Sequence, residues 1–367
     1  MPFTHSNDIT KELEEALYMF SLFQKKNTIN NSPERVAIIE EWVKLNDLSP
    51  MQLQQLLSQN FDINFIHDAI SCTKEHPDVE YLLQKFTPSA ELLSRPRSGV
   101  AVESVIQGVV TGDAIGSTRK FTPPTKVKEL MTPDSHVTDE SQLTFATYAA
   151  LKEKALHPDF RKHYIKAYHA DPDAGHTQNF ALWAQNKMTK NVKGEVVHVD
   201  NLQGYHSKTH GAASRIAPIA AHFKYPDIMA RHALESILTT HDHVEGIKGA
   251  LVTAYCIWLA LHGASKAEID EYCKSHYMST PEQRAKMTDG KYRFDYENPF
   301  PVVASKASQF ASYAVPYAVY CFCNTESYEE CMELIVSHFG DNDAICAIAG
   351  GIATAFYDNM PVPEENA

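Results

Sequence analysis

Sustained strand alternation, long apolar runs and basic clusters are all scarce in this chain of 367 residues. The longest apolar run, residues 249–261, falls short of the roughly 20 residues a helix needs to span a bilayer, so no membrane span is expected. The N-terminal stretch MPFTHSNDITKELEEAL is acidic and lacks the apolar centre of a signal or transit peptide. The reading is a soluble, intracellular, cytoplasmic protein. Lysine and arginine number 33 against 46 aspartates and glutamates, a formal net charge of −13. No stripe of basic and aromatic residues offsets that balance, so phosphate repulsion argues against nucleic acid as a partner. Cysteine is sparse and odd in number, seven residues at 72, 256, 273, 321, 323, 331 and 346. Cys321 and Cys323 form a C-x-C, but no second pair completes a zinc set. Buried, reduced thiols in a reducing compartment follow. A G-x-G-x-x-G dinucleotide fingerprint is also missing.

What is present is helical periodicity, and the expected fold class is all-α. Residues 8–25, 32–45, a stretch opening at Ser49-Pro50, 63–73 and 78–86 read as helices of an N-terminal unit, residues 1–95. Prolines and serines between 88 and 98 read as a linker. A larger domain, 99–360, follows. Its helices are expected at about 140–156, 158–168, 175–187, 212–223, 227–240, 245–262, 266–276, 303–323, 327–338 and 343–357. Residues 118–137 and 277–302 read as long loops, a length often functional. Gly108, Gly112 and Gly116 stand at i, i+4 and i+8 of one more helix. Each glycine costs a helix about 1 kcal/mol, so close backbone packing or a ligand pressed on that face is expected.

Two acidic helix starts carry the chemistry. One is Thr138-Asp139-Glu140-Ser141, opening the helix from Gln142. The other is Gly340-Asp341-Asn342-Asp343-Ala344, followed by a small-residue apolar run. Each alone reads as an N-cap, where aspartate meets free N–H groups and the positive end of the dipole. Together they are able to converge on one hard cation.

Four segments in order add to this: Gly108 to Ser117; Val137 to Thr144; Ser207-Lys208-Thr209-His210-Gly211 through Arg215 and Pro218, with Thr240-His241-Asp242-His243; and Gly340 to Gly351. Over about residues 100–357 they resemble the ADP-ribosylglycohydrolase family, which includes dinitrogenase-reductase-activating glycohydrolase and the ADP-ribosyl-acceptor hydrolases. The resemblance implies an all-helical domain and one or two Mg2+ (or Mn2+) ions. The family's T-D-D-T and G-D-x-D-T motifs place metal ligands at Thr138, Asp139, Glu140, Asp341 and Asp343. Magnesium and manganese favour such oxygen donors in near-octahedral geometry. The resemblance also implies substrate contacts from Asp113, Ser117, Lys120, Ser207, Lys208, Thr209, His210, Gly211 and His241. Asp139 and Glu140 would be catalytic, orienting or deprotonating the attacking water.

The departures are specific. Glu140 replaces an aspartate, lengthening the arm by one methylene. Ala344 replaces a threonine that supplies a ligand oxygen, and Lys120 stands where many relatives carry a glutamate. Both weaken a second metal site, and the lysine is able to fill part of such a site with its own charge. The family's S-x-G-N-G ligand loop appears here as the altered 207–211 segment. Serine-directed members use the glutamate that Lys120 replaces, so arginine-linked ADP-ribose, an N-glycosidic bond, is the expected substrate. The expected partners are thus an ADP-ribosylated protein and ADP-ribose, with the N-terminal unit recruiting a particular protein or capping the domain. Alternatives are an ADP-ribose binder without turnover, a hydrolase of another ADP-ribose conjugate, and a helical scaffold with mere caps. A structural salt bridge is expected for Arg215, with diphosphate binding as its alternative.

Overall fold

The computed structural model describes residues 88–357, apart from 125–126, 128, 154–157, 191–195, 199–203, 278–293, 298 and 300–304. The helices expected between 8 and 86 lie outside the described residues. Every residue of the site belongs to one compact unit, Phe86–His222 with Met229–Ala367.

The elements run α1 (Ala90–Leu93), α2 (Val102–Ser117), α3 (Asp139–Lys152), α4 (Phe160–Ala170), α5 (Gln178–Ala184), β1 (Met188–Lys190), β2 (Val196–His198), α6 (Gly211–Ser214), α7 (Ala217–His222), α8 (Pro226–Leu238), α9 (Val244–Leu261), α10 (Lys266–Tyr277), α11 (Ser305–Ser308), α12 (Ala311–Cys323), α13 (Tyr328–Val336) and α14 (Asn342–Tyr357). The fold is all-α. β1 and β2 pair antiparallel as a local ribbon, which the sequence reading did not anticipate. α9 reaches back to Val244 and is 18 residues long, so by length and composition it could cross a membrane, contrary to expectation; 89% of it is buried inside the protein. Leu251, Leu259 and Leu261 on it are fully enclosed, each contributing about 2 kcal/mol by leaving water. The six described cysteines are free thiols, five of them buried.

Two expected helices are broken, for identifiable reasons. The 212–223 stretch divides into α6 and α7. Pro218 has no N–H to offer the carbonyl four residues back, and that Ser214 carbonyl instead accepts from Thr144 Oγ1 at 3.4 Å. The 303–323 stretch divides before α12, because the intervening chain pairs with the 208–210 segment. Ala311 N–H donates to the Lys208 carbonyl (3.0 Å) and His210 N–H to the Gln309 carbonyl (3.2 Å). That pairing fixes where His210 points.

The glycine ladder of α2 serves packing. A Cβ at Gly108 would lie 2.6 Å from the Gly350 carbonyl oxygen, at Gly112 2.2 Å from that of Cys346, and at Gly116 2.2 Å from that of Asn342. α2 and α14 thus run antiparallel with backbones in contact, bringing the end of α2 beside the start of α14. Alanine is favoured over glycine in a helix by about 1 kcal/mol. A methyl driven into a backbone carbonyl must part the two helices, so Gly112→Ala is expected to lower stability by about 2 kcal/mol net, read as a lower urea midpoint.

Candidate functional site

Asp113 sits on α2 with no exposed surface. One carboxylate oxygen accepts from Thr138 Oγ1 (2.7 Å). The other accepts from the N–H of Thr138 (2.8 Å), the N–H of Ser141 (3.1 Å) and Ser141 Oγ (2.5 Å). Its expected role was contact with substrate; its oxygens instead clamp the first turn of α3. Thr138 Oγ1 also accepts from the Glu140 N–H (3.3 Å) as the helix cap. That hydroxyl serves the cap and Asp113, and one lone pair remains for the expected metal ligation. The clamp projects Asp139 and Glu140 from one turn.

The second acidic start lies at the N-terminus of α14. Asp341 and Asp343 are buried, and both meet Lys120: Nζ stands 3.0 Å from Asp341 Oδ1 and 2.7 Å from Asp343 Oδ2. His210 Nε2 lies 3.0 Å from the other Asp341 oxygen, and His210 Nδ1 lies 3.8 Å from Glu140 Oε1. His210 therefore bridges the two acidic helix starts. Glu140 Oε2 also accepts from Ser214 Oγ. Burial alone would raise the pKa of Asp341, but the hydrogen bond and charge of His210, with Lys120, hold it below the ordinary carboxylate range. Glu140 is pushed well upward by burial and by the charges of Asp139 and Asp343. Burial would lower the Lys120 amine, yet Asp343 and Asp341 outweigh it and keep the ammonium charged.

Above this floor opens a cleft of about 490 Å³ including its mouth. Asp139, Glu140 and Asp341 line it, with Thr209, His210, Gly211 and His241. Phe180, Tyr205 and Leu143 supply apolar wall, and Arg215 closes one side. The residues of α3, of the 209–211 segment and of α14 thus share one concave surface. Ser207 binds Thr209 Oγ1 (2.9 Å), and Ser117 accepts from the His136 N–H while donating to the Ala114 carbonyl. Ser117, Ser207 and Lys208 are not among the cleft's lining residues.

His241 is buried between two hydroxyls, with Nδ1 2.7 Å from Thr240 Oγ1 and Nε2 3.2 Å from Thr209 Oγ1. Burial and then the charges of Arg215 and His210 depress its pKa, so the ring is neutral. Arg215 corrects an expectation. Its buried guanidinium donates to Thr240 Oγ1 (2.6 Å) and lies 4.1 Å over the Tyr164 ring, while its Nε has no hydrogen-bond partner among the described residues. No ion pair with a described carboxylate satisfies it, where a structural salt bridge was expected. A buried guanidinium on a cleft wall without a described carboxylate partner leaves room for the alternative expectation, an anionic group of a ligand.

His176 was missed from sequence. Its ring is enclosed, stacked on Phe180 at 4.8 Å, with Nδ1 3.5 Å from Asp139 Oδ2. Neither of its nitrogens has a hydrogen-bond partner among the described residues. The only local signal is its place in the polar Gly175-His176-Thr177 run just before α5.

The expected divalent site fits these residues poorly. Lys120 holds the Asp341–Asp343 pair, and Ala344 is a buried methyl without an oxygen. Among the described residues no three carboxylate, imidazole or thiolate side chains converge as a metal cluster would require. Hard divalent ions prefer about six oxygen ligands, and this floor offers them a competing ammonium.

Comparison with known proteins agrees with the architecture. Human ADP-ribosylhydrolase ARH3 is 24% identical over 329 residues, covering 75% of this chain and 89% of that protein. The mouse ADP-ribosylhydrolase ARH3 is 25% identical over 265 residues, 62% of this chain and 71% of its own length. The putative ADP-ribosyl glycohydrolase L543 of Acanthamoeba polyphaga mimivirus is 20% identical over 299 residues, 70% of this chain and 86% of that one. A solved ADP-ribosylglycohydrolase-related protein complex superposes with a TM-score of 0.52 at 20% identity, covering 70% of this chain and 87% of that chain, a likeness of fold. The family model described as ADP-ribosylglycohydrolase matches residues 99–366, well over half of the sequence, and the chain belongs to that family.

Proposed function

We propose that this chain hydrolyses the bond joining C1″ of ADP-ribose to a protein side chain, with arginine-linked ADP-ribose as its substrate. The observation that carries the reading is the cleft itself. It sets three carboxyl groups, Asp139, Glu140 and Asp341, beside a buried guanidinium without a carboxylate partner among the described residues. The diphosphate is the natural counter-charge for Arg215, and Phe180 and Tyr205 offer apolar wall to the sugar and base. Breaking a glycosidic bond passes through an oxocarbenium-like state served by one acid and one base. Glu140, kept protonated by burial, donates its proton to the leaving nitrogen. Asp139 takes a proton from the water that attacks C1″, with the His176 ring 3.5 Å from its carboxylate. The water oxygen becomes the new hydroxyl of ADP-ribose, and the side chain leaves with the donated proton. No step runs through a metal ion. The arginine linkage rests on Lys120 in place of the glutamate that serine-directed enzymes use. The N-terminal unit is proposed to recruit the modified protein.

A second reading, ADP-ribose bound without turnover, is favoured by two contacts: Lys120 and His210 each meet one Asp341 oxygen. One experiment separates the two. ADP-ribose release is followed from arginine-modified and serine-modified protein, with magnesium, manganese or chelator, alongside calorimetric titration with ADP-ribose. Release from the arginine-modified protein is the expected result. Binding without release from either supports the second reading, and neither binding nor release overturns both. Arg215→Lys is expected to weaken ADP-ribose binding about tenfold or more, since a hydrogen bond to a charged group contributes about 1.5–3 kcal/mol and lysine lacks the planar fork.

A further inference from the structure

We infer that Lys120 is the resident cation of the Asp341–Asp343 pair. Its ammonium takes the place between the two carboxylates that a divalent ion would need, and the cleft engages its ligand without one. The first statement stands on the site alone. The second rests on the reading of the cleft as an ADP-ribose site.

The lysine is built in. Its Nζ lies 2.7 Å from Asp343 and 3.0 Å from Asp341, whose side chains are 0% and 3% exposed. The turn that carries it is stitched to the strand of chain that carries the aspartates. The Phe121 N–H donates to the Gly340 carbonyl at 2.8 Å, and Asn342 Nδ2 donates to the Arg119 carbonyl at 3.1 Å. Phe121 adopts a left-handed φ of 52°, uncommon for a bulky side chain, and its ring meets Phe339 at 6.1 Å. These contacts on both sides of residue 120 aim its side chain inward.

Charge closes the argument. Two buried carboxylates side by side need a positive partner. One ammonium bridges them, and His210 takes the remaining Asp341 oxygen at 3.0 Å. A dication on the same oxygens would stand beside the ammonium and be repelled by it. It would also find no oxygen at Ala344. A tethered charge differs from a metal in one testable respect: a chelator cannot remove it.

The test uses the full-length chain. Manganese is titrated while free Mn2+ is followed by electron paramagnetic resonance, and thermal unfolding is recorded in EDTA and in MnCl2. The native chain is expected to take up no stoichiometric Mn2+, and its Tm to differ by no more than about 1 °C between the two conditions. Lys120→Ala and Lys120→Met uncover the carboxylate pair, and each is expected to bind one Mn2+ and to gain about 5 °C in Tm from it. Stoichiometric Mn2+ binding by the native chain, or folded variants that bind no more than it does, overturns the inference. If neither variant folds, the native titration alone decides. Calorimetry with ADP-ribose tests the second statement: Kd is expected to agree within about twofold in EDTA and in MnCl2, and a larger dependence on Mn2+ overturns it. Absence of ADP-ribose binding in both conditions would count against the cleft's proposed ligand, while the manganese titration still judges Lys120.

Discussion

Glu140→Gln is expected to reduce ADP-ribose release by about 10²- to 10⁴-fold, the usual contribution of a positioned acid or base, while leaving ADP-ribose affinity nearly unchanged. The side chain is buried and lines the cleft. Burial and the neighbouring charges of Asp139 and Asp343 favour its protonated form. Glutamine keeps the shape, the burial and an oxygen for Ser214 Oγ, but has no acidic proton to give the leaving group. A merely structural Glu140 predicts something different. The amide would then alter the midpoint of unfolding, and activity would follow the folded fraction. Single-turnover kinetics together with a urea titration separate the outcomes: an intact midpoint with lost turnover supports the acid role. Asp139→Asn is the companion measurement. If Asp139 handles the water proton, its loss should slow the chemical step by a similar factor, again without weakening product binding.

What sequence reasoning reached, and where it stopped, follows from the range of the interactions. The i, i+4, i+8 glycines of α2 carry a local spacing that demands a close neighbour, and α14 proved to be that neighbour. The Thr138–Ser141 and Gly340–Asp343 runs announce helix starts through their own side chains, so their positions were legible. The break at Pro218 was written in the sequence too, because a missing N–H is a local fact, but the apolar pattern on both sides masked it. The break before α12 was not legible, since it depends on pairing with a segment about a hundred residues earlier. Asp113 shows the same limit: its four donors come from residues 25 and 28 positions on, and no local pattern distinguishes such a brace from a ligand contact. Arg215 was read as a structural ion pair because buried arginines usually find carboxylates. Only the packed site shows a ring and a hydroxyl in their place. At Lys120, a charge reversal against the family pattern pointed to an occupied cation site, and the structure supplied the two distances.

Asp113→Ala is expected to destabilise the protein by about 4 kcal/mol, within the range found when one partner is removed from a buried charged network. Two opposing contributions set the value. Burial penalises the carboxylate and pushes its pKa upward, against the pull of the hydrogen bonds it accepts; deletion relieves that penalty. Deletion also strands two N–H groups and two hydroxyls in a core position with no exposed surface. Each stranded donor costs about 1–3 kcal/mol, so even partial rescue by an entering water leaves the loss dominant. Asp113→Asn should fall about halfway, since one amide oxygen remains for the donors and the NH2 group adds another donor among them. The damage should spread along the clamp. The turn from Thr138 to Ser141 presents Asp139 and Glu140 to the cleft, so the folded fraction of either variant should show a lower kcat with KM little changed. Denaturant titration measures the first effect, and kinetics below the unfolding transition measure the second. A loss under about 1 kcal/mol would mean that Thr138 and Ser141 find other acceptors, and that the first turn of α3 is held by something other than Asp113.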